Sequence, residues 1–228
     1  MAVASSEAYE RFQKSKKIGY DEWHDGTSYD LDAYAEMTSE EKDNVAQELR
    51  ARGNLDWRDM EILKLHGSRE CFDSLRDLLA TGSIDERADA LRALIDMGKM
   101  SGNVPDVQLA HVLDDIDGIA GMTTALLLAS QHAGPMSNAA LLRGVRDRRG
   151  VAANFAGMIC FLAGITDEEF DWKLRPLFLR LGEGTPDSDR NAAFAELCEL
   201  AGVDPQRIPE QGRGNGVAFP KSKQKKES

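Results

Sequence analysis

The amino-acid sequence predicts an all-α protein, a right-handed stack of helical hairpins without a sheet. Apolar residues recur at helical spacing in one window after another, and no stretch alternates apolar and polar residues over about six positions. Ala and Leu dominate an apolar fraction of 42%, while β-branched residues are sparse, which favours helix over strand. Short breaks carrying Gly, Pro, Ser or Asp separate the periodic windows, and these are helix start and stop signals.

The elements follow in order. Residues 1–18 read as a polar helix with Ala8, Phe12 and Ile18 on its weak apolar side. An aromatic, acidic stretch bounded by Gly19 and Gly26 reads as an ordered loop, with a single helical turn after Tyr29-Asp30-Leu31. Thr38-Ser39-Glu40-Glu41 has the character of a capping box and opens a helix to about Ala51. Asp56 caps a helix over 57–65, and Ser68 caps one over 69–80 that is expected to bury Cys71, Phe72, Leu75, Leu78 and Leu79. Ser83 or Asp85 starts the next, with Ile84, Ala88, Leu91, Leu94 and Ile95 in one stripe. Pro105 opens a helix to about Ile116, where its missing N–H costs nothing. Gly118 starts a nearly uncharged helix through Ala129, and Pro135 and Ser137 start another. The 151–163 window is apolar on all sides, so its neighbours must cover both faces. Asp167 caps a helix through Leu181 that Pro176 should kink or split, and Thr185-Pro186-Asp187 opens the last helix, to about Ala201.

First-of-pair helices at Asp85, Gly118 and Val151 start about 33 residues apart, a period that reads as an α-solenoid of stacked two-helix units. Asp85-Glu86-Arg87-Ala88-Asp89-Ala90-Leu91 and Asp187-Ser188-Asp189-Arg190-Asn191-Ala192-Ala193 each place an Arg after acids and before small and apolar residues. In this the chain resembles the HEAT-like repeat family over about 56–201. The two middle units lack the Arg. The resemblance implies a binding module, and it speaks for fold more than for function. On this reading 1–55 form an N-terminal helical cap with the aromatic and acidic segment, 56–208 the repeats, and 209–228 a flexible basic tail rich in Gly, Lys, Gln and Ser, with Val217, Ala218 and Phe219 able to dock.

Charge narrows the partners. The chain carries −11, and its last twelve residues sum to +3, so the preceding body carries −14. Such a body repels phosphate backbones and suits a basic protein. The N-terminal region lacks an apolar signal segment and no apolar run is long enough to span a bilayer, so a cytoplasmic protein is expected, with no membrane and no nucleic acid as partner. Cys71, Cys160 and Cys198 fall on apolar faces without CxxC spacing and read as small buried hydrophobes. His66, His111 and His132 read as structural; no HExxH, nucleophile elbow, P-loop or dinucleotide fingerprint occurs. Asp114, Asp115 and Asp117 miss the calcium-loop spacing because Leu113 stands at its first position. No catalytic residue, metal or cofactor is therefore expected.

A non-enzymatic protein-binding module is the expected function, with Trp23, Asp25, Tyr29 and Asp30 as the first candidate contact patch and Asp85, Glu86, Asp114 and Asp115 as the second. The first patch has a second reading, in which Trp23 and Tyr29 plug the open end of the first hairpin near Trp57. Together with Asp56-Trp57-Arg58-Asp59 it looks like the N-terminal segment of bacterial HEAT-repeat proteins linked to secreted toxins. That resemblance implies an immunity protein that neutralises a basic toxin. A general scaffold or adaptor and a helical-repeat lyase are the alternatives.

Overall fold

A computed structural model of the chain describes residues 5–17, 19, 26–169, 171–212 and 216–219. Among them are twelve α-helices and no strand. We number them α1 (Glu7–Ser15), α2 (Leu31–Glu36), α3 (Ser39–Ala51), α4 (Trp57–His66), α5 (Arg69–Thr81), α6 (Ile84–Asp96), α7 (Val104–Asp115), α8 (Met122–His132), α9 (Pro135–Asp147), α10 (Ala152–Leu162), α11 (Arg175–Leu181) and α12 (Asp187–Leu200). Two 3-10 turns, Trp172–Leu174 and Pro205–Arg207, complete the regular structure.

Helices pack on their neighbours one and two along the chain. The row α4, α6, α8, α10 forms by next-but-one contacts, and α3 on α5, α7 on α9, and α10 on α12 follow the same rule. Each unit therefore covers the apolar face of the one before it, and a continuous core runs from Phe12 to Ile208. α10 lies against α8, α9, α11 and α12, which accounts for its all-round apolar sequence.

Two boundaries differ from those the sequence predicts. α8 starts at Met122, not Gly118, because Gly121 is left-handed (φ +67°) and a Cβ there would sit 2.8 Å from the Ile84 carbonyl oxygen. The helix expected from Asp167 starts later. Asp171 caps the 3-10 turn through the Lys173 N–H at 2.8 Å, and Pro176 stands in the first turn of α11, where it needs no donor.

Polar side chains tie unit to unit through the helix ends, where the first amides and the last carbonyls have no partner within their own helix. Asp85 accepts from the Gly121 N–H at the start of α8, and Glu86 accepts from the Leu55 N–H at 3.1 Å while closing its own capping box. Arg148 donates to the last carbonyls of α7, Leu113 and Asp114, at 2.9 and 2.8 Å. Arg149 holds the Thr185 carbonyl at 2.8 Å, and Arg190 reaches the Val145 carbonyl at 2.6 Å.

Glu41 does the same for the N-terminal helices. It closes the capping box of α3 on Thr38 and also accepts from the N–H and the hydroxyl of Ser6, the N-cap of α1, at 2.8 and 2.9 Å. The Ser6 N–H is the chief reason its carboxyl is pushed down from 4.5 to about 2. A depressed folded-state pKa stabilises above the ordinary value and ceases to do so as pH falls through the folded one. We expect the docking of α1 to loosen between about pH 4.5 and about pH 2. Amide exchange of 7–15 against pH measures it, and protection that is flat across that window would contradict the assignment.

The stretch beyond the last helix runs back along α9. The Pro209 carbonyl accepts from Arg143 at 2.9 Å, the Val217 N–H donates to the Pro135 carbonyl at 2.7 Å, and Asn138 donates to the Val217 carbonyl at 3.0 Å. Part of the segment expected to be flexible is thus held at three points, and the docking of Val217 and Phe219 against the core is seen. The tail from Pro220 onward lies outside the described residues.

Candidate functional site

The stacked row α4, α6, α8 presents its helix N-termini on one side, and a groove of about 830 Å³ runs across them. Asp56, the N-cap of α4, and Trp57 form one end; Asp85, Glu86 and Asp89 on α6 form the floor; Thr124 in the first turn of α8 forms the other end. Among the described residues four carboxylates and one base, Arg92, line this groove, and Asp56 is also paired with Arg58 at 3.3 Å.

Each carboxylate is held by the fold rather than left to swing. Asp56 accepts the N–H groups of Arg58 and Asp59 at 2.9 and 3.1 Å. Asp85 and Glu86 are fixed by Gly121 and Leu55 as above. Asp89 accepts from the Thr124 hydroxyl at 3.0 Å and lies 3.6 Å from Arg92. Burial holds the Asp89 carboxyl above its usual range, Arg92 and Thr124 oppose that, and the charges of Asp85 and Asp56 add to it. A cationic side chain entering the groove would relieve this repulsion. The partly exposed indole of Trp57 supplies an apolar wall beside it.

The candidates read from the sequence separate on this structure. Asp85 and Glu86 come together in the groove, joined by Asp56 and Asp89. Gly26, at the end of the aromatic segment, lines the same groove. Trp23 and Asp25 lie outside the described residues. Tyr29 is buried: its hydroxyl donates to Asp59 at 2.7 Å, its ring meets Phe12 edge-on at 5.4 Å, and the Arg58 guanidinium lies over it at 4.5 Å. Tyr29 thus packs between α1 and α4. Asp30 caps α2 through the Ala33 N–H and pairs with Arg11 at 3.3 Å. Asp114 forms a two-pronged ion pair with Arg143 at 2.7 and 3.0 Å, with 5% of its side chain exposed, so it offers a partner nothing. Asp115 pairs with Arg87 at 2.6 Å near the surface, away from the groove.

Asp56 and Asp89 were not among those candidates. The signal for Asp89 is its position four residues after Asp85, one turn along the same helical face.

Comparison of the chain with known protein families, with curated proteins and with solved structures finds no match in any of the three. Among the described residues, no group of three or more His, Cys, Asp or Glu side chains is placed to hold a metal ion, and no helix is long and apolar enough to cross a membrane.

Proposed function

We propose that the chain is a protein-binding module whose groove across α4, α6 and α8 takes a basic segment of a partner. The observation that carries this is the set of four pre-positioned carboxylates, one of them held above its usual range chiefly by burial, around a groove with an aromatic wall and, among the described residues, one base. Next-but-one stacking supports reading the architecture as a right-handed α-solenoid of HEAT-like hairpins. The most concrete version is a cytoplasmic immunity protein: a nuclease toxin carries positive charge to hold its substrate, and an acidic inhibitor gains fast association and covers the substrate groove. A general scaffold would use the same face for another basic segment.

The test uses two replacements that keep shape. Asn caps a helix as well as Asp does, so Asp56→Asn leaves α4 capped, and Asp89→Asn leaves an acceptor for Thr124. The wild type is used to capture its partner from the native host, and association rates are then measured at low and high salt. We expect a basic partner, association slowed about tenfold or more by the double replacement, and a flatter salt dependence. A neutral or acidic partner, or association insensitive to both salt and the replacements, would sink the groove as the site. A small molecule in place of a protein would favour a lyase.

A further inference from the structure

The second row of the stack opens at one place. In that row α3 packs on α5 and α7 packs on α9, while α5 and α7 are both seated on α6. Between α5 and α7 the row leaves an open groove of about 320 Å³. Phe72 and Leu79 on α5, Met100 in the loop after α6 and Val104 at the start of α7 give it an apolar floor. Val104 is 44% exposed there.

Two bases stand at the rim. Arg76 lies one turn along α5 from Phe72, and its guanidinium is 5.7 Å from the centre of the Phe72 ring. The Lys99 ammonium is 5.9 Å from the same ring. Left-handed Gly98 (φ +64°) ends α6, and the Lys99 N–H closes on the Leu94 carbonyl at 3.1 Å, which fixes the backbone of Lys99 beside α5. Neither base makes an ion pair among the described residues. At an exposed site a ring face is a weak substitute for a carboxylate. The acids nearby are used elsewhere: Asp73 pairs with Arg69 at 3.8 Å and Asp96 with Lys64 at 3.2 Å. Asp77, next to Arg76, does not line the groove. The N-terminus of α7 adds to the positive side. Its N-cap, Asn103, makes no side-chain bond, and Asp106, the acid of its first turn, is turned to α9.

We propose that the groove between α5 and α7 is a second docking surface, and that it takes a peptide segment of a partner with an apolar side chain beside a carboxylate. The apolar side chain covers Phe72, Leu79, Met100 and Val104. The carboxylate replaces the ring face as the partner of Arg76 and Lys99. Charge complementarity selects this occupant: a basic segment suits the carboxylates across α4, α6 and α8, and the same charge keeps it, and the chain's own lysine-rich tail, out of this groove. The inference stands apart from the acidic groove, with which it shares no lining residue.

The full chain is panned against short random peptides on phage, and the selected peptides are synthesised and their affinities measured by fluorescence polarisation. We expect enrichment of peptides that pair an apolar residue with Asp or Glu. Their affinity should fall about tenfold or more in Arg76→Gln/Lys99→Gln and in Val104→Asp, and stay unchanged in Asp56→Asn/Asp89→Asn. All of these positions are exposed or partly exposed, and circular dichroism checks that each variant is folded. Enrichment of basic or neutral peptides alone, or of none, overturns the proposal. So do acidic peptides whose affinity ignores the Arg76 and Lys99 replacements. Self-association of the wild type that is lost in Arg76→Gln/Lys99→Gln would seat a second copy in the groove and overturn the peptide assignment.

Discussion

Replacing Asp106 with Ala is expected to lower stability by about 3–5 kcal/mol. Asp106 is 8% exposed, stands in the first turn of α7, and serves the N-terminus of α9. Its two oxygens accept from the N–H groups of Gly134, Met136 and Ser137 at 3.0, 3.0 and 2.8 Å, and from the Ser137 hydroxyl. Gly134 is required beside it, since a Cβ there would lie 2.6 Å from one carboxylate oxygen. Alanine would leave the Met136 and Ser137 amides without acceptors at a largely buried helix end, at about 1–3 kcal/mol each before relaxation, while the Gly134 N–H keeps the Ser137 hydroxyl oxygen at 3.0 Å, and it would remove the charge that complements the helix dipole. Asp106→Asn keeps one acceptor but turns an NH2 toward donors, so it should be intermediate. Urea unfolding measures both. A lower midpoint at unchanged slope is the expected form, and a loss under about 1 kcal/mol for the alanine variant would show that water replaces the carboxylate without difficulty.

The same residue shows what could be read in advance. Helix existence was legible because the stripe of each helix is local: Ala88, Leu91 and Leu94 lie within two turns. The use of the acids was not. Asp106 meets Ser137 31 positions on, Asp85 meets Gly121 36 positions on, and Asp114 meets Arg143 29 positions on. Such contacts jump a whole unit, and nothing in the neighbourhood of an Asp marks whether it will face water or a helix end in the next layer. Part of the −14 body is accordingly structural capping, and the acids that face a groove are fewer than the total implies. The contact of the Cys71 sulfur with Nδ1 of His66, at 3.5 Å, was illegible for the opposite reason. His66 and Cys71 are five apart, too close for separate catalytic elements and too far for one helical turn, and only the left-handed Gly67 brings them into contact.

Asp114 gives the second large effect, and it concerns stability, not association. The sequence places it in the second candidate contact patch. In the fold it and Arg143 are 5% and 8% exposed and bonded at both prongs. Removing one member of a nearly buried pair strands the other, so Arg143→Met should lower stability by about 3–5 kcal/mol, and Asp114→Leu by a similar amount. Replacing both with apolar residues of like size strands neither charge. The double variant Arg143→Met/Asp114→Leu is therefore expected to lie within about 1–2 kcal/mol of the wild type, a coupling that a double-mutant cycle by urea unfolding reads directly. One contact does not recover. Arg143 also holds the Pro209 carbonyl at 2.9 Å, so amides after Ile208 should exchange faster in both variants that lack the guanidinium. If the two single losses simply add in the double variant, the ion pair is not the unit of stability at this junction. If exchange after Ile208 is unchanged, the returning segment is held by Val217 and Phe219 on α9 instead.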